Sequence, residues 1–242
     1  MERMKAILTL TAALAFALSP LTTEGFNGFR PDQFPIPQVD PPVQPAGFAF
    51  AIWGPIYVWL IAGALFGLLK RDRTPGWDVA RWPLIASLVI GAAWIPVAQF
   101  SPLWATVLIW AMLGTALWAL VTAGAEDRLW LRTPIALYAG WLTAASCVAL
   151  ALILAGHGFM SGQAAALALI GVALLIALVV LVLRPDTPEY AATMGWALVG
   201  IAASNVSPAN ISVLMLCCAG LAVLTLSARR SSIDTHARPP HG

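Results

Sequence analysis

The sequence predicts an all-α integral membrane protein, a polytopic bundle of eight transmembrane helices. Three observations predict it. Sixty per cent of the 242 residues are hydrophobic and 10% are charged, against about 25% charged in an ordinary soluble domain. The apolar residues gather into runs close to the ~20 that a helix needs to cross the hydrocarbon core. The basic residues fall on alternate connections, as the positive-inside rule requires.

The runs occupy 4–21, 47–69, 82–100, 103–124, 133–156, 162–183, 190–206 and 209–228, and Lys5, at an edge, is the only Asp, Glu, Lys or Arg within them. Lipid offers backbone polar groups no partner, so spanning segments must be helices or closed barrels. The runs lack the polar alternation of barrel strands, which leaves helices. The first run also fits a signal peptide: Arg3 and Lys5 precede a stretch of Ala and Leu, and Ser19, Pro20 and Thr22 follow it. Its removal would leave seven helices. With the N-terminus inside, the inner segments carry Arg3, Lys5, Lys70, Arg71, Arg73, Arg81, Arg128, Arg132, Arg184, Arg229, Arg230 and Arg238, all of the 13 Lys and Arg except Arg30. Both termini are therefore expected in the cytoplasm, and the composition fits a bacterial inner membrane. The polar tail, 229–242, is expected to be disordered.

The same composition excludes several functions. A net charge of +2 is too small for nucleic-acid binding. Cys147, Cys217 and Cys218 lie in apolar runs without metal-ligand spacing and read as small buried hydrophobes. Charged groups in mid-membrane mark ion and proton paths, and the span centres hold none. The only lysines, Lys5 and Lys70, sit at edges, where neither can form a retinal Schiff base. His157 lies near an outer helix end, and His236 and His241 lie in the tail. No catalytic or metal-binding constellation can be assembled from these residues, so no enzyme and no required cofactor are expected.

The aromatic residues carry the remaining signal. The chain has 11 tryptophans. Trp77, Trp82, Trp104 and Trp130, at span ends, fit an interfacial belt. Trp94, Trp110 and Trp141 sit deeper, and Trp53 lies about two turns into the second run beside Tyr57. Deep indoles either pack helices together or line an apolar pocket with a few N–H donors, suited to a planar ligand. Pro55 and Pro96, inside spans, predict kinks that open space. The first outer loop, 22–46, contains Pro31, Pro35, Pro37, Pro41, Pro42 and Pro45 interleaved with Phe26, Phe29 and Phe34. It reads as either a lid over the outer face or a linker.

The second span opens Pro45-Ala46-Gly47-Phe48-Ala49-Phe50-Ala51-Ile52-Trp53-Gly54-Pro55-Ile56-Tyr57, the third contains Ala93-Trp94-Ile95-Pro96, and the fifth contains Pro134-Ile135-Ala136-Leu137-Tyr138-Ala139-Gly140-Trp141-Leu142-Thr143-Ala144-Ala145. In this order, after a proline-rich loop, the segments resemble the TspO/MBR family, the tryptophan-rich sensory proteins related to the translocator protein. The family's asparagine before the third-helix Trp is absent, with Gly91 and Ala92 nearby. Its paired phenylalanines give way to residues around Ala98 and Gln99, and Ala149 stands near its helix-five asparagine. The resemblance implies a TspO-like five-helix unit over 1–156, enlarged by three additional helices over 157–228. It also implies a pocket opening toward the first loop, lined by Trp53, Tyr57, Trp94 and Trp141, with Ala145 on the packed face of helix five. Porphyrin, haem-type or sterol ligands, and a homodimer, are implied likewise. The expected function is a membrane receptor or carrier for a hydrophobic planar ligand. The alternatives are a transporter of a small neutral or lipid-like solute and an assembly factor that binds no ligand.

Overall fold

A computed structural model describes residues 2–22 and 28–237. Phe26 of the first loop lies outside the described residues. Eight α-helices follow one another: α1 (Glu2–Leu18), α2 (Trp53–Lys70), α3 (Pro75–Phe100), α4 (Pro102–Thr122), α5 (Arg132–Gly156), α6 (Gly162–Leu183), α7 (Pro188–Ser204) and α8 (Ile211–Ala237). The described residues contain no strand. Seven helices are long and apolar enough to cross a membrane; α7, at 17 residues, falls just short.

Local chemistry sets the helix starts. Pro75, Pro102 and Pro188 begin α3, α4 and α7, where a missing N–H costs nothing. Ser101 and Ser161 cap α4 and α6, each accepting a backbone N–H. Trp53 lies about two turns into the span Gly47–Lys70, as expected, but those turns are a 3-10 segment, Gly47–Ile52, and Trp53 is the first residue of α2 proper. Pro55 sits in the first turn of α2, two residues past the change from 3-10 to α-helix. In α3, Pro96 does lie inside the helix, together with Pro83. The tail boundary expected at 229 falls within α8, which continues to Ala237.

The centre of the bundle is α5, the most completely buried helix. It packs against α4 on one side and α6 and α7 on the other, and α2 also touches it. Beyond α4 lies α3, which also packs on α1; α1 in turn carries α2, while α8 covers α6 and α7. The small residue Gly140 allows α5 and α7 to approach closely: a Cβ there would stand 2.9 Å from the Tyr190 carbonyl oxygen.

The two ends of the bundle are held differently. At the basic end, ion pairs join the connections: Lys5–Asp78 at 2.6 Å, Arg71–Asp127 at 2.6 Å, Arg128–Glu189 at 2.6 Å, and Arg132–Asp186. Here α3 starts before the expected residue 82 and brings Asp78 and Arg81 into the helix. The Arg81 side chain is only 4% exposed. Its guanidinium donates to the carbonyls of Arg71 and Asp72, satisfying backbone acceptors past the end of α2. At the opposite end the proline-rich loop crosses the helix ends. Gln33 donates to the Ala98 and Gln99 carbonyls of α3, the Ile36 N–H to Gly156 of α5, and the Ala46 N–H to Gly200 of α7. Phe34 and Val43 are buried beneath it. The described part of the loop is thus a lid, not a linker.

Candidate ligand pocket

Trp53 and Tyr57 are four residues apart on α2 and so share one helix face. Their rings stack with centroids 5.3 Å apart and planes 14° from parallel. Phe16 of α1 meets both edge-on, at 5.7 Å from Trp53 and 5.1 Å from Tyr57, and also approaches Tyr138 of α5 at 5.5 Å. Trp141, one turn further along α5, meets Trp53 edge-on at 6.2 Å and Phe50 at 5.9 Å. Trp94 of α3 lies against Phe29 of the lid at 6.4 Å and donates its indole N–H to the Ala105 carbonyl of α4 at 2.8 Å. Each such ring pair contributes about 0.5–1.5 kcal/mol beyond burial.

These rings surround two adjoining hollows. The first, of about 120 Å³, is lined by Phe16, Trp53, Tyr57, Trp94, Ile109 and Leu142, among others. The second, of about 50 Å³, lies between Trp94, Ile109, Trp141, Ala144 and Ala145, with Gln44 of the lid at its rim. Trp94 and Ile109 form the wall common to both. Of the residues singled out from sequence, Trp53, Tyr57 and Trp94 line the first hollow and Trp94, Trp141 and Ala145 line the second. The second hollow is walled almost wholly by carbon, yet Trp141 is 3% exposed and its N–H has no hydrogen-bond partner. A buried donor in that state costs roughly 1–3 kcal/mol.

Sequence reasoning missed Phe16, which looked like one more apolar residue in a span that also fits a signal peptide. Its counterpart is Gly91, which stands out only once the fold brings the two together. A Cβ at Gly91 would lie 2.6 Å from the Phe16 ring and 3.0 Å from the Met112 methyl. The missing side chain on α3 is the space that the ring occupies.

The other tryptophans separate by role. Trp82, Trp104 and Trp118 are exposed and face outward. Trp77, expected in the interfacial belt, is instead buried and donates to Asp127 at 3.2 Å, fastening α3 to the α4–α5 connection. The Arg71 guanidinium hydrogen-bonded to Asp127 holds that carboxyl below its ordinary range, against a smaller opposing effect of burial. His157 bonds its ring Nδ1 to the Ile153 carbonyl at the lid end, away from both hollows. Among the described residues, no group of three or more His, Cys, Asp or Glu side chains is placed to hold a metal ion.

An all-α bundle with this many apolar spans and rings gathered around hollows beneath a lid defines a multi-pass integral membrane protein with an internal aromatic site. Residues 7–228 match the family described as TSPO-like protein, and the chain belongs to that family. The match runs through α6, α7 and into α8 as well as the five helices before them, three of which carry the motifs. No curated protein and no solved structure matches the chain.

Proposed function

We propose that this protein is a membrane receptor or carrier that binds a hydrophobic planar ligand among Trp53, Tyr57, Trp94, Trp141 and Ala145. The observation that carries this reading is the convergence of rings from α2, α3 and α5 on adjoining hollows, with an unpaired Trp141 N–H on one wall. Flat apolar walls select a flat apolar molecule. In this reading the site binds its ligand and does not turn it over. By the positive-inside rule the basic end faces the cytoplasm of a bacterial inner membrane, with both termini on that side. The pocket and its lid then lie toward the outer half of the bilayer. The tetrapyrrole that family membership suggests needs more room than either hollow has, since ligand sites usually measure about 300–1,000 Å³.

The test is a titration of tryptophan fluorescence with brominated planar aromatics. Saturable quenching is expected, weakened at least tenfold by Trp53→Leu or Trp141→Leu and less than twofold by Trp82→Leu. Equal effects from all three variants, or quenching that rises linearly without saturation, would mean mere partitioning into lipid.

A further inference from the structure

Phe16 is held in one place by three aromatic neighbours and the gap at Gly91. Its ring forms one wall of the larger hollow. That hollow, at about 120 Å³, is close to the ~150 Å³ apolar cavity that stays dry and takes benzene in another protein. Its lining is mostly apolar: Trp94 spends its N–H on Ala105, and the Trp53 indole and the Tyr57 hydroxyl are the other polar groups on the side chains around it. The volume and the walls together describe a single six-membered ring.

We propose that Phe16 sets the size of the ligand: the hollow takes a single-ring hydrophobic aromatic, and the Phe16 ring fills the place of a second. This rests on the ligand-binding reading above and narrows it. The space of Phe16 is where a second ring can be added. On the opposite side, Ile109 and Trp94 stand between the two hollows, and the further hollow, at about 50 Å³, has no room for a ring. The flat ring of Phe16 lies edge-on to Trp53 and Tyr57, so a fused two-ring ligand in its place would meet the same faces. α1 is thereby part of the site and not only an anchor. A tetrapyrrole, several times larger, requires the helices themselves to part.

The test uses the full chain in nanodiscs, with bromobenzene, 1-bromonaphthalene and protoporphyrin IX as quenching probes. For the unaltered protein, saturable quenching is expected with bromobenzene, and at least tenfold weaker with 1-bromonaphthalene. Phe16→Ala should reverse that preference, and Phe16→Leu should shift it part of the way without emptying the site. Ile109→Phe, which fills the hollow from its other wall, should abolish bromobenzene saturation. If 1-bromonaphthalene or protoporphyrin IX binds the unaltered protein as tightly as bromobenzene, Phe16 does not set the size, and the receptor reading survives. If no probe saturates the unaltered protein or any variant that keeps its native melting transition, both readings fall. Should Phe16→Ala not fold, the bromobenzene comparison with Ile109→Phe and the shift with Phe16→Leu decide the matter.

Discussion

The two faces of α5 are packed by different means. Toward α1, α2 and α3 it presents Tyr138 and Trp141 to Phe16, Trp53 and Trp94, and space remains between the rings. Toward α6 and α7, Ala144 and Cys147 meet Leu169, Met194 and Leu198, where the residual space is about 10 Å³, and the smaller hollow reaches Ala197 and Ile201 of α7 further along. Rings are rigid plates that meet edge to face, so a cluster of them from several helices cannot close every gap. Short aliphatic side chains interdigitate and close theirs. The larger hollow thus lies on the ring side of α5, away from α6 and α7, and that side is where a ligand can be held.

The largest effect is expected on the filled face. Gly140→Leu drives a side chain into the Tyr190 backbone, where even a Cβ would come within 2.9 Å. The overpacking cost is about 1–3 kcal/mol or more, read as a lowered melting transition in detergent or as loss of the folded protein. Filling the other face should do the reverse. Ala145→Val, at the smaller hollow, should raise stability by roughly 0.5–1 kcal/mol and leave bromobenzene quenching in the larger hollow unchanged within about twofold. If the two substitutions destabilise equally, the faces do not differ in the way described.

Smaller effects sharpen the comparison. Two hydrogen-bonded hydroxyl pairs flank α5: Ser87 with Tyr138 at 2.9 Å on the ring side, and Thr143 with Tyr190 at 2.7 Å on the aliphatic side. Ser87→Ala and Thr143→Val should each cost about 0.6 kcal/mol, the usual worth of such bonds between membrane helices, measured by unfolding in mixed micelles. Only the Ser87 change should alter ligand affinity.

The smallest effect lies at the basic end. Asp127 has its carboxyl held below the ordinary range by Arg71, so its contribution is fully present above about pH 4. That contribution disappears as pH falls through the lowered value, because protonation breaks the pair. Asp127→Asn should flatten the acid limb of stability and leave pocket affinity unchanged, checked by melting curves between about pH 2 and pH 6.

Much of this was legible in the sequence, for physical reasons. Lipid demands long apolar runs and segregated charge, so the helix count and the two chemically distinct ends are written directly in the chain. Trp53 with Tyr57, Trp94 and Trp141 stood out because indoles away from headgroup depth are unusual. What was not legible depends on contacts between distant residues. Phe16 and Gly91 fit one another across 75 positions, and neither is unusual alone. Arg81 looked like a connection residue at a span edge, because no sequence pattern reveals the α2-end carbonyls that it satisfies. Trp77 had the position of a belt residue, and only its contact with Asp127 shows otherwise.

The most direct measurement is the position of the bromine in a structure of the protein with bromobenzene bound, where anomalous scattering locates the atom without ambiguity. The expected site is the hollow enclosed by Phe16, Trp53, Tyr57, Trp94 and Ile109, with the ring plane facing an indole. Bromine found only on the outer surface beside Trp104 or Trp118, with that hollow empty, would contradict ligand binding between these helices.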